Sequence, residues 1–252
     1  LMKKFMFAMA VMGSFALTAN AYAGGYKEIE VKDGGTISGT VLFKGAVPPK
    51  KATGKDVDVC HADTPDPSII ATDGKLANVV VYLKKVKKGK AFTDAQKAVV
   101  SDQKACIFVP HVALVAEKGK VEFKNSDAKL HNVKVNSIRN GNFNEGVDPH
   151  KSLTKAFNKG HDAIKVSCSV HEWMSSWVIV MPHPYYAVTA ADGSFKLENV
   201  PAGKYKVIVW HGAKENACDV AVDDGKAAKQ KSSGVKVVVK KGKEVKITAT
   251  YK

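Results

Sequence analysis

Short runs that alternate apolar and polar residues, separated by turn signals, are the feature that most constrains the fold of this chain. TISGTVLF places Ile37, Val41 and Phe43 on one side of an extended segment, and VEFK alternates Val121 and Phe123 with charged residues. Asp-Gly and Pro-Ala-Gly turns precede similar runs near the C-terminus. No window has helical periodicity of comparable strength. The pattern therefore predicts an all-β fold with short, closely spaced strands, as in sandwiches and barrels.

The first 23 residues have the pattern of a secretory signal peptide. Lys3 and Lys4 precede an apolar run over residues 5–17, and Ala-Tyr-Ala at 21–23 is typical of a cleavage site. A transmembrane anchor is the alternative, but this apolar run is short for a bilayer span, and no later segment is long enough. The sequence predicts a periplasmic or extracellular protein without a membrane span.

The chain is strongly basic, with 39 Lys and Arg against 24 Asp and Glu and a net charge of +15. Such a charge favours anionic partners by long-range attraction and says little about the fold. The lysines are spread through strand-like segments, and no nucleic-acid-binding motif accompanies them. We therefore expect no nucleic acid among the partners.

The run CSVHEWM, from Cys168 to Met174, brings a thiol, an imidazole and a thioether onto one short loop. In an oxidising compartment the default is that the four cysteines pair, with three possible connectivities. The run lacks the Cys-x-x-Cys-His of a haem attachment site and the paired cysteines of a structural zinc site. Mononuclear copper fits better, because a blue-copper site uses one thiolate, two imidazoles and a weak axial methionine. Cys168, His171 and Met174 supply three of these groups, and His131 in VEFKNSDAKLHNV is the candidate for the fourth.

These two segments resemble the cupredoxin family, and most closely its amicyanin and plastocyanin-like members, over roughly residues 95–183. The resemblance implies a Greek-key sandwich with one type 1 copper site formed by His131, Cys168, His171 and Met174. It also implies that Asn132 ties the two ligand loops together by hydrogen bonds.

The resemblance extends to expected partners. It implies that His171 lies near an apolar surface patch through which electrons pass to redox proteins such as c-type cytochromes or quinoprotein dehydrogenases. The basic charge of this chain adds the expectation that the partner surface is acidic.

A second resemblance covers the C-terminal part, where AVTAADGSFKLENVPAGKYKVIVWHG is similar to the carboxypeptidase regulatory-like, transthyretin-like β-sandwich. GTISGTVLFKGAVPPK and LANVVVYL resemble the opening strands of the same module. The predicted organisation is a leader (1–23), an N-terminal β segment (24–94), the copper domain (95–183) and the second sandwich (184–252). Two arrangements remain open: the copper domain is inserted into a sandwich built from both chain ends, or the two domains are sequential.

Assigning Cys168 to copper leaves three cysteines. We expect Cys60 and Cys106 to form a disulfide, because they flank the strand-like segment LANVVVYL and closing a long loop stabilises a secreted fold. Cys218 is then a free thiol or an intermolecular link, unless the pairing differs.

The function that follows is an exported type 1 copper protein that shuttles single electrons. We expect no enzymatic activity, because copper enzymes need additional His-rich centres and the sequence has no His-x-His pair. Two alternatives stay open, a periplasmic copper carrier or chaperone with the same ligands and a metal-free structural or adhesion protein with paired cysteines.

Overall fold

The computed structural model describes residues 25–64 and 68–252, so the predicted signal peptide lies outside the described residues. The all-β prediction is confirmed, since strands dominate the described part and the helices there are two single turns, α1 and α2. No helix in these ranges combines the length and apolar character needed to cross a membrane.

The elements follow one another in three groups. The first group is β1 Lys27–Glu28, β2 Gly35–Phe43, β3 Lys51–Ala52, α1 Val57–Cys60, β4 Asp63–Thr64, β5 Ala71–Thr72, β6 Lys75–Leu76, β7 Val80–Lys84 and β8 Lys88–Gly89. The second is α2 Asp94–Lys97, β9 Ala98–Lys104, β10 Ile107–Val109, β11 Val112–Ala116, β12 Gly119–Asn125, β13 His131–Ser137, β14 Gly141–Val147, β15 Ser152–Phe157, β16 Asp162–Ser167 and β17 Ser175–Met181. The third is β18 Tyr186–Val188, β19 Ser194–Val200, β20 Gly203–Trp210, β21 Cys218–Val222, β22 Ala228–Lys229, β23 Val235–Val239 and β24 Glu244–Tyr251.

The first and third groups share two sheets, which we call the terminal sandwich. One sheet has the order β18-β7-β20-β23, and the other has the order β22-β21-β24-β2-β6-β5, with β19 also paired to β2. Strands from both ends of the described chain thus pair with each other, with residues between them in sequence forming a separate pair of sheets. In this sheet order the strands of the central pair of sheets lie, along the chain, between strands of the terminal sandwich. The domain boundaries at 95 and 183 and the transthyretin-like family stay predictions.

The parallel pairing of β2 with β24 joins the N-terminal and C-terminal strands of the terminal sandwich in one sheet. Ile37 pairs with Val245 and Val41 with Ala249, and all four side chains are buried because each strand alternates inward and outward residues. Gly39 faces Ile247 in this register, and a Cβ at Gly39 would overlap the carbonyl oxygen of Ile247. The glycine therefore permits the close approach of the two strands.

The second group forms the central sandwich. Its sheets have the orders β10-β9-β12-β15 and β11-β17-β16-β13-β14. Alternating residues of β12 and β13 face inward, so that Val121, Phe123, Val133 and Val135 are buried in one core. A smaller apolar cluster joins the two sandwiches: Val80, Val112, Leu114, Ile179 and Met181, with Tyr82, Trp177, Tyr186, Val188 and Trp210 packed against it.

The cysteines are arranged as expected. Cys60 and Cys106 form a disulfide across a sequence separation of 46 residues. In the chain-entropy treatment, closing a loop of this size stabilises the fold by about 4 kcal/mol. Cys168 and Cys218 are free and buried, and Cys218 lies in the core of the terminal sandwich.

Two buried histidines of the terminal sandwich are held neutral. His183 accepts a hydrogen bond from the backbone N–H of Tyr185 at Nδ1, and its Nε2 has no hydrogen-bond partner among the described residues. Burial lowers the pKa of His183 to about 4, and burial also lowers the pKa of His211 to about 4. Within residues 25–64 and 68–252, neither ring forms an ion pair with a carboxylate that would stabilise its charged form.

We predict that the metal-free protein loses stability as the pH falls from about 6.5 to about 4. In this window the unfolded chain binds protons that the folded chain excludes from His183 and His211, so that the free energy of unfolding falls as the pH falls. His183→Gln removes one of these groups and should flatten the profile by roughly 3 kcal/mol across the window. Urea unfolding at a series of pH values checks this, and parallel profiles for the two proteins would contradict it.

Candidate metal centre

The run CSVHEWM connects two adjacent strands of the central sandwich. Ser167 at the end of β16 pairs with Ser175 at the start of β17, so the loop between them is the connection of a β-hairpin. Within the loop, the backbone N–H of Cys168 donates to the carbonyl of Met174 (3.3 Å), and that of Met174 donates to His171 (2.9 Å). The side chains of all three residues are buried. The predicted ligands on this loop therefore share one short, hydrogen-bonded turn.

His131 is the first residue of β13, the strand that pairs antiparallel with β16. In this register Lys134 lies opposite Ser167, so His131 and Cys168 lie at the same end of the sheet. His131 is fully buried. The β-sheet thus brings a histidine to a loop that follows it by almost forty residues.

Three predicted ligands converge in space. The Nδ1 atoms of His131 and His171 lie 2.9 Å apart, and Cys168 Sγ lies 3.8 Å from His171 Nδ1. One ligand atom from each of the three residues lies within 4.8 Å of the other two. Met174, the fourth predicted ligand, is fully buried in the apolar core that also contains Cys168.

The outer nitrogen of His131 is held by a buried carboxylate. His131 Nε2 donates to Asp127 Oδ2 at 2.8 Å, and Asp127 is only 6% exposed. The same carboxylate accepts hydrogen bonds from the backbone N–H groups of Ala105 (2.7 Å) and Cys106 (2.9 Å). Burial opposes the charge on Asp127, but these three hydrogen bonds outweigh it and lower its pKa. Asp127 therefore stays ionised and orients the ring.

The outer nitrogen of His171 is held in the same way from a distant part of the chain. His171 Nε2 donates to Asp56 Oδ2 at 3.0 Å, and this hydrogen bond lowers the pKa of Asp56. Asp56 has a φ of 50°, a left-handed conformation that Asp tolerates better than most residues. His171 is fully buried, and its expected position near an apolar surface patch stays a prediction. Asp56 precedes the central sandwich in the chain, and its segment lies against the imidazole edge.

We call residues 51–64, which comprise β3, α1 and β4, the cap segment. The Cys60–Cys106 disulfide attaches it to the central sandwich. Lys129, on the loop that precedes His131, forms ion pairs with Asp56 (3.3 Å) and Asp58 (3.0 Å). The cap segment is therefore anchored beside both ligand loops.

Trp173 completes the covering of His171. Its ring lies edge-on to the imidazole with a centroid distance of 5.0 Å, and its Nε1 donates to the carbonyl oxygen of Cys106 at 3.1 Å. The disulfide sulfur atoms also lie within 4.8 Å of a ring nitrogen of His171. Aromatic and sulfur atoms thus exclude water from this side of the centre.

Asn132 links the two ligand loops. Its backbone N–H lies 3.4 Å from Cys168 Sγ, and its side-chain oxygen accepts hydrogen bonds from the backbone N–H groups of Ser169 (2.5 Å) and Val170 (3.3 Å). The backbone N–H of His171 also donates to Cys168 Sγ at 3.4 Å. Two backbone donors therefore favour a thiolate at this position.

The hydrogen-bond pattern tests whether a metal ion fits. A carboxylate only accepts hydrogen bonds when ionised, so each Nε2 carries a hydrogen and each neutral ring keeps its lone pair at Nδ1. Those two lone pairs face each other across 2.9 Å, which is repulsive unless a cation lies between them. Two imidazole nitrogens and a thiolate, with the thioether of Met174 on the same loop, match the residue types of a mononuclear copper site. The residues present therefore fit the metal.

A proton takes the place of the cation in the metal-free centre. Burial disfavours the charged ring of His131, but hydrogen bonds with Asp127 and Cys168 raise its pKa to about 9. Burial likewise disfavours the thiolate of Cys168, but hydrogen bonds from His131 and from the backbone of Asn132 and His171 lower its pKa to about 6. Both shifts favour an imidazolium–thiolate pair of His131 and Cys168.

Neither Asp127 nor Asp56 was predicted from the sequence as part of the centre. Asp127 lies four residues before His131 on the same polar loop, and this proximity is a signal that could have suggested it. Asp56 lies 115 residues before His171. The one signal in the sequence that relates Asp56 to the centre is its position shortly before Cys60. Its role depends on the cap segment folding over the ligand loop.

Comparison with known proteins gives partial structural matches. No family model and no curated protein matches the chain. An amicyanin from Paracoccus versutus is similar at 21% identity, over 33% of this chain and 80% of that protein, with a TM-score of 0.30. A purple cupredoxin from Nitrosopumilus maritimus is similar at 18% identity, over 33% of this chain and 97% of that protein, with a TM-score of 0.28. These TM-scores are too low to say anything about function. The chemistry of the centre is therefore inferred from the side chains of this chain alone.

We predict that the two free thiols of the metal-free protein ionise in separate steps. The thiolate of Cys168 should form as the pH rises through about 6, whereas burial raises the pKa of Cys218 to about 11. The ultraviolet absorbance of the thiolate measures both. Cys168→Ser should abolish the lower step, and Cys218→Ser should leave it unchanged. A wild-type titration without a step well below the ordinary cysteine pKa would contradict this assignment.

Proposed function

We propose that this protein is an exported type 1 copper protein that carries single electrons between redox partners. The observation that carries the proposal is the convergence of two carboxylate-oriented Nδ1 atoms and the Cys168 thiol at one buried point. His131, Cys168 and His171 would hold the metal, and Met174 would supply a weak axial contact. Copper bound there would supply one-electron exchange between its two oxidation states.

The residues around the centre limit movement of the ligands. Asp127 and Asp56 restrain the two imidazoles from outside, and Asn132 connects the loop of His131 to the loop of Cys168. Such outer hydrogen bonds fix ring orientation and raise the basicity of the ligand nitrogens. A centre with positioned ligands suits electron transfer, because little rearrangement accompanies the change of charge.

The cap segment determines where a redox partner can approach. His171 has no exposed edge, so a partner would contact the surface formed by the cap segment and by the exposed residues Ser169 and Glu172 beside it. The hydrogen bond from His171 to Asp56 would connect the centre to that surface. We propose acidic redox proteins, such as c-type cytochromes or quinoprotein dehydrogenases, as partners of this basic chain.

Export is the setting that the proposal requires. The Cys60–Cys106 disulfide is typical of oxidising compartments such as the periplasm or the extracellular space. The signal-peptide pattern over residues 1–23 favours the same location.

Electron transfer is favoured over the two alternatives by the closure of the centre. A copper carrier releases metal to its acceptor, whereas these ligands are buried and restrained on both imidazoles. A metal-free structural protein gains nothing from two buried imidazoles whose Nδ1 atoms face each other. A reversible one-electron couple in voltammetry would distinguish the electron carrier from the copper carrier.

We predict that adding Cu(II) to the purified protein produces an intense visible thiolate-to-copper absorption band and a copper paramagnetic resonance signal. Cys168→Ser should abolish the band because it removes the thiolate. Cys218→Ser is the matched control and should keep the band, since Cys218 lies in the other sandwich. A protein that stays colourless while its Cys60–Cys106 disulfide is intact would refute the proposal.

We predict that Asp56→Asn weakens Cu(II) binding by roughly 10- to 100-fold, as does the loss of other outer partners of metal-bound histidines. Asparagine tolerates the left-handed backbone at this position but lacks the negative charge that favours the oxidised metal. The reduction potential should therefore rise. Competition with a chelator and voltammetry provide the two measurements.

Asp58→Asn is the control for this variant. Asp58 also pairs with Lys129, but no hydrogen bond joins it to His171 in the described structure. The two variants remove the same charge from the same segment. Equal effects of both would show that general electrostatics, and not the hydrogen bond to the imidazole, determines affinity.

A further inference from the structure

Three lysines lie in one row across adjacent strands of the terminal sandwich. Lys206 on β20 pairs directly with Lys84 on β7 and with Lys236 on β23. Lys206 and Lys236 are exposed, and Lys84 is half-buried. Like charges directly opposite each other destabilise a sheet, so this arrangement carries a cost in the isolated protein.

The row crosses a groove of about 1000 Å³. Seven lysines line it: Lys84, Lys85, Lys87, Lys88, Lys204, Lys206 and Lys236. Its other lining residues are mainly apolar: Val86 and Val237 belong to the buried core, Tyr205 is half-buried, and the side chain of Val238 is 53% exposed. The groove therefore offers both positive charge and apolar surface to one ligand.

These positive charges are not neutralised within the described ranges 25–64 and 68–252. No carboxylate lines the groove, and none of its lysines forms an ion pair with a described residue. Lys84 donates only to the carbonyl oxygen of Ser232. Among the neighbouring carboxylates, Glu28 accepts from the backbone of Phe92, and Glu198 pairs with Lys196.

The groove is separate from the candidate metal centre. Burial lowers the pKa of His161 most, followed by the charge of Arg139, and Lys84 is close enough to lower it further. His161 precedes β16, and the opposite end of that strand leads to Cys168. Six residues of strand span roughly 20 Å. A ligand in the groove would therefore bind far from the metal centre.

We infer that this groove binds an acidic segment of a partner polypeptide. Carboxylates of the segment would pair with the row formed by Lys84, Lys206 and Lys236, and its apolar side chains would cover Val238. A polypeptide fits better than a membrane, because a flat lipid surface does not enter a concave groove. It also fits better than polyphosphate, which has no group to cover the apolar lining.

Binding at this distance gives the groove a tethering role. An acidic segment held here keeps its parent protein near the chain and raises the effective concentration for a second, weaker contact elsewhere. The association is salt-dependent, because exposed charges are screened within a Debye length. Binding of an acidic segment in the groove does not require a metal ion in the candidate metal centre.

A synthetic peptide that alternates glutamate and valine tests the assignment. Its binding to the full-length protein is measured by fluorescence anisotropy at low and physiological salt. We expect the triple variant Lys204→Gln, Lys206→Gln, Lys236→Gln to weaken binding by at least about tenfold, since charge-assisted contacts are lost. A peptide with glutamine in place of glutamate should bind comparably weakly to both proteins, which tests the charge pairing without any protein variant.

The matched control is Lys120→Gln, Lys124→Gln, Lys246→Gln, which removes three exposed lysines from other strands. This control should leave peptide affinity within about twofold at physiological salt, where distant charges are screened. Equal losses in both triple variants, or no binding of the peptide, would overturn the inference. Polyphosphate or anionic vesicles that bind as tightly and depend equally on the groove lysines would overturn the assignment to a polypeptide.

Discussion

Two hydrogen bonds between a carboxylate and an imidazole are the interactions on which the centre depends. Asp127 and Asp56 each take the outer nitrogen of a histidine, so that the inner nitrogens of His131 and His171 face each other beside the thiol of Cys168. Without those carboxylates, either imidazole ring could flip by rotation about its χ2 angle or change its tautomer. The two aspartates therefore convert a group of buried side chains into a defined donor set.

The cap segment links the terminal sandwich to the candidate metal centre of the central sandwich. It follows β2, a central strand of the terminal sandwich, yet it supplies Asp56 to the central sandwich and is held there by the Cys60–Cys106 disulfide. A central sandwich without this segment would expose His171 and lose one of the two restraining carboxylates. Under the proposed function, a redox partner would contact the surface of this segment, since the segment covers His171.

Strand positions and the ligand loop could be predicted because their signals are local. The alternation of apolar and polar residues in β2 and β13 indicates which residues face a core. Val41 and Val133, which this pattern directs inward, are buried. The pairing of Cys60 with Cys106 could be predicted once Cys168 was assigned elsewhere. The burial of His171 by the cap segment could not be predicted, because the family resemblance covers residues 95–183 and does not include that segment.

The sequence by itself determined the all-β class and the short loop that carries Cys168, His171 and Met174. Both follow from residue types at short spacing, which act through strand geometry and turn preferences. Only the tertiary structure decided that Asp56 orients His171 and that Lys84, Lys206 and Lys236 form one row. These contacts join residues far apart in the chain, and their geometry depends on sheet register and on the path of the cap segment, which no local pattern encodes.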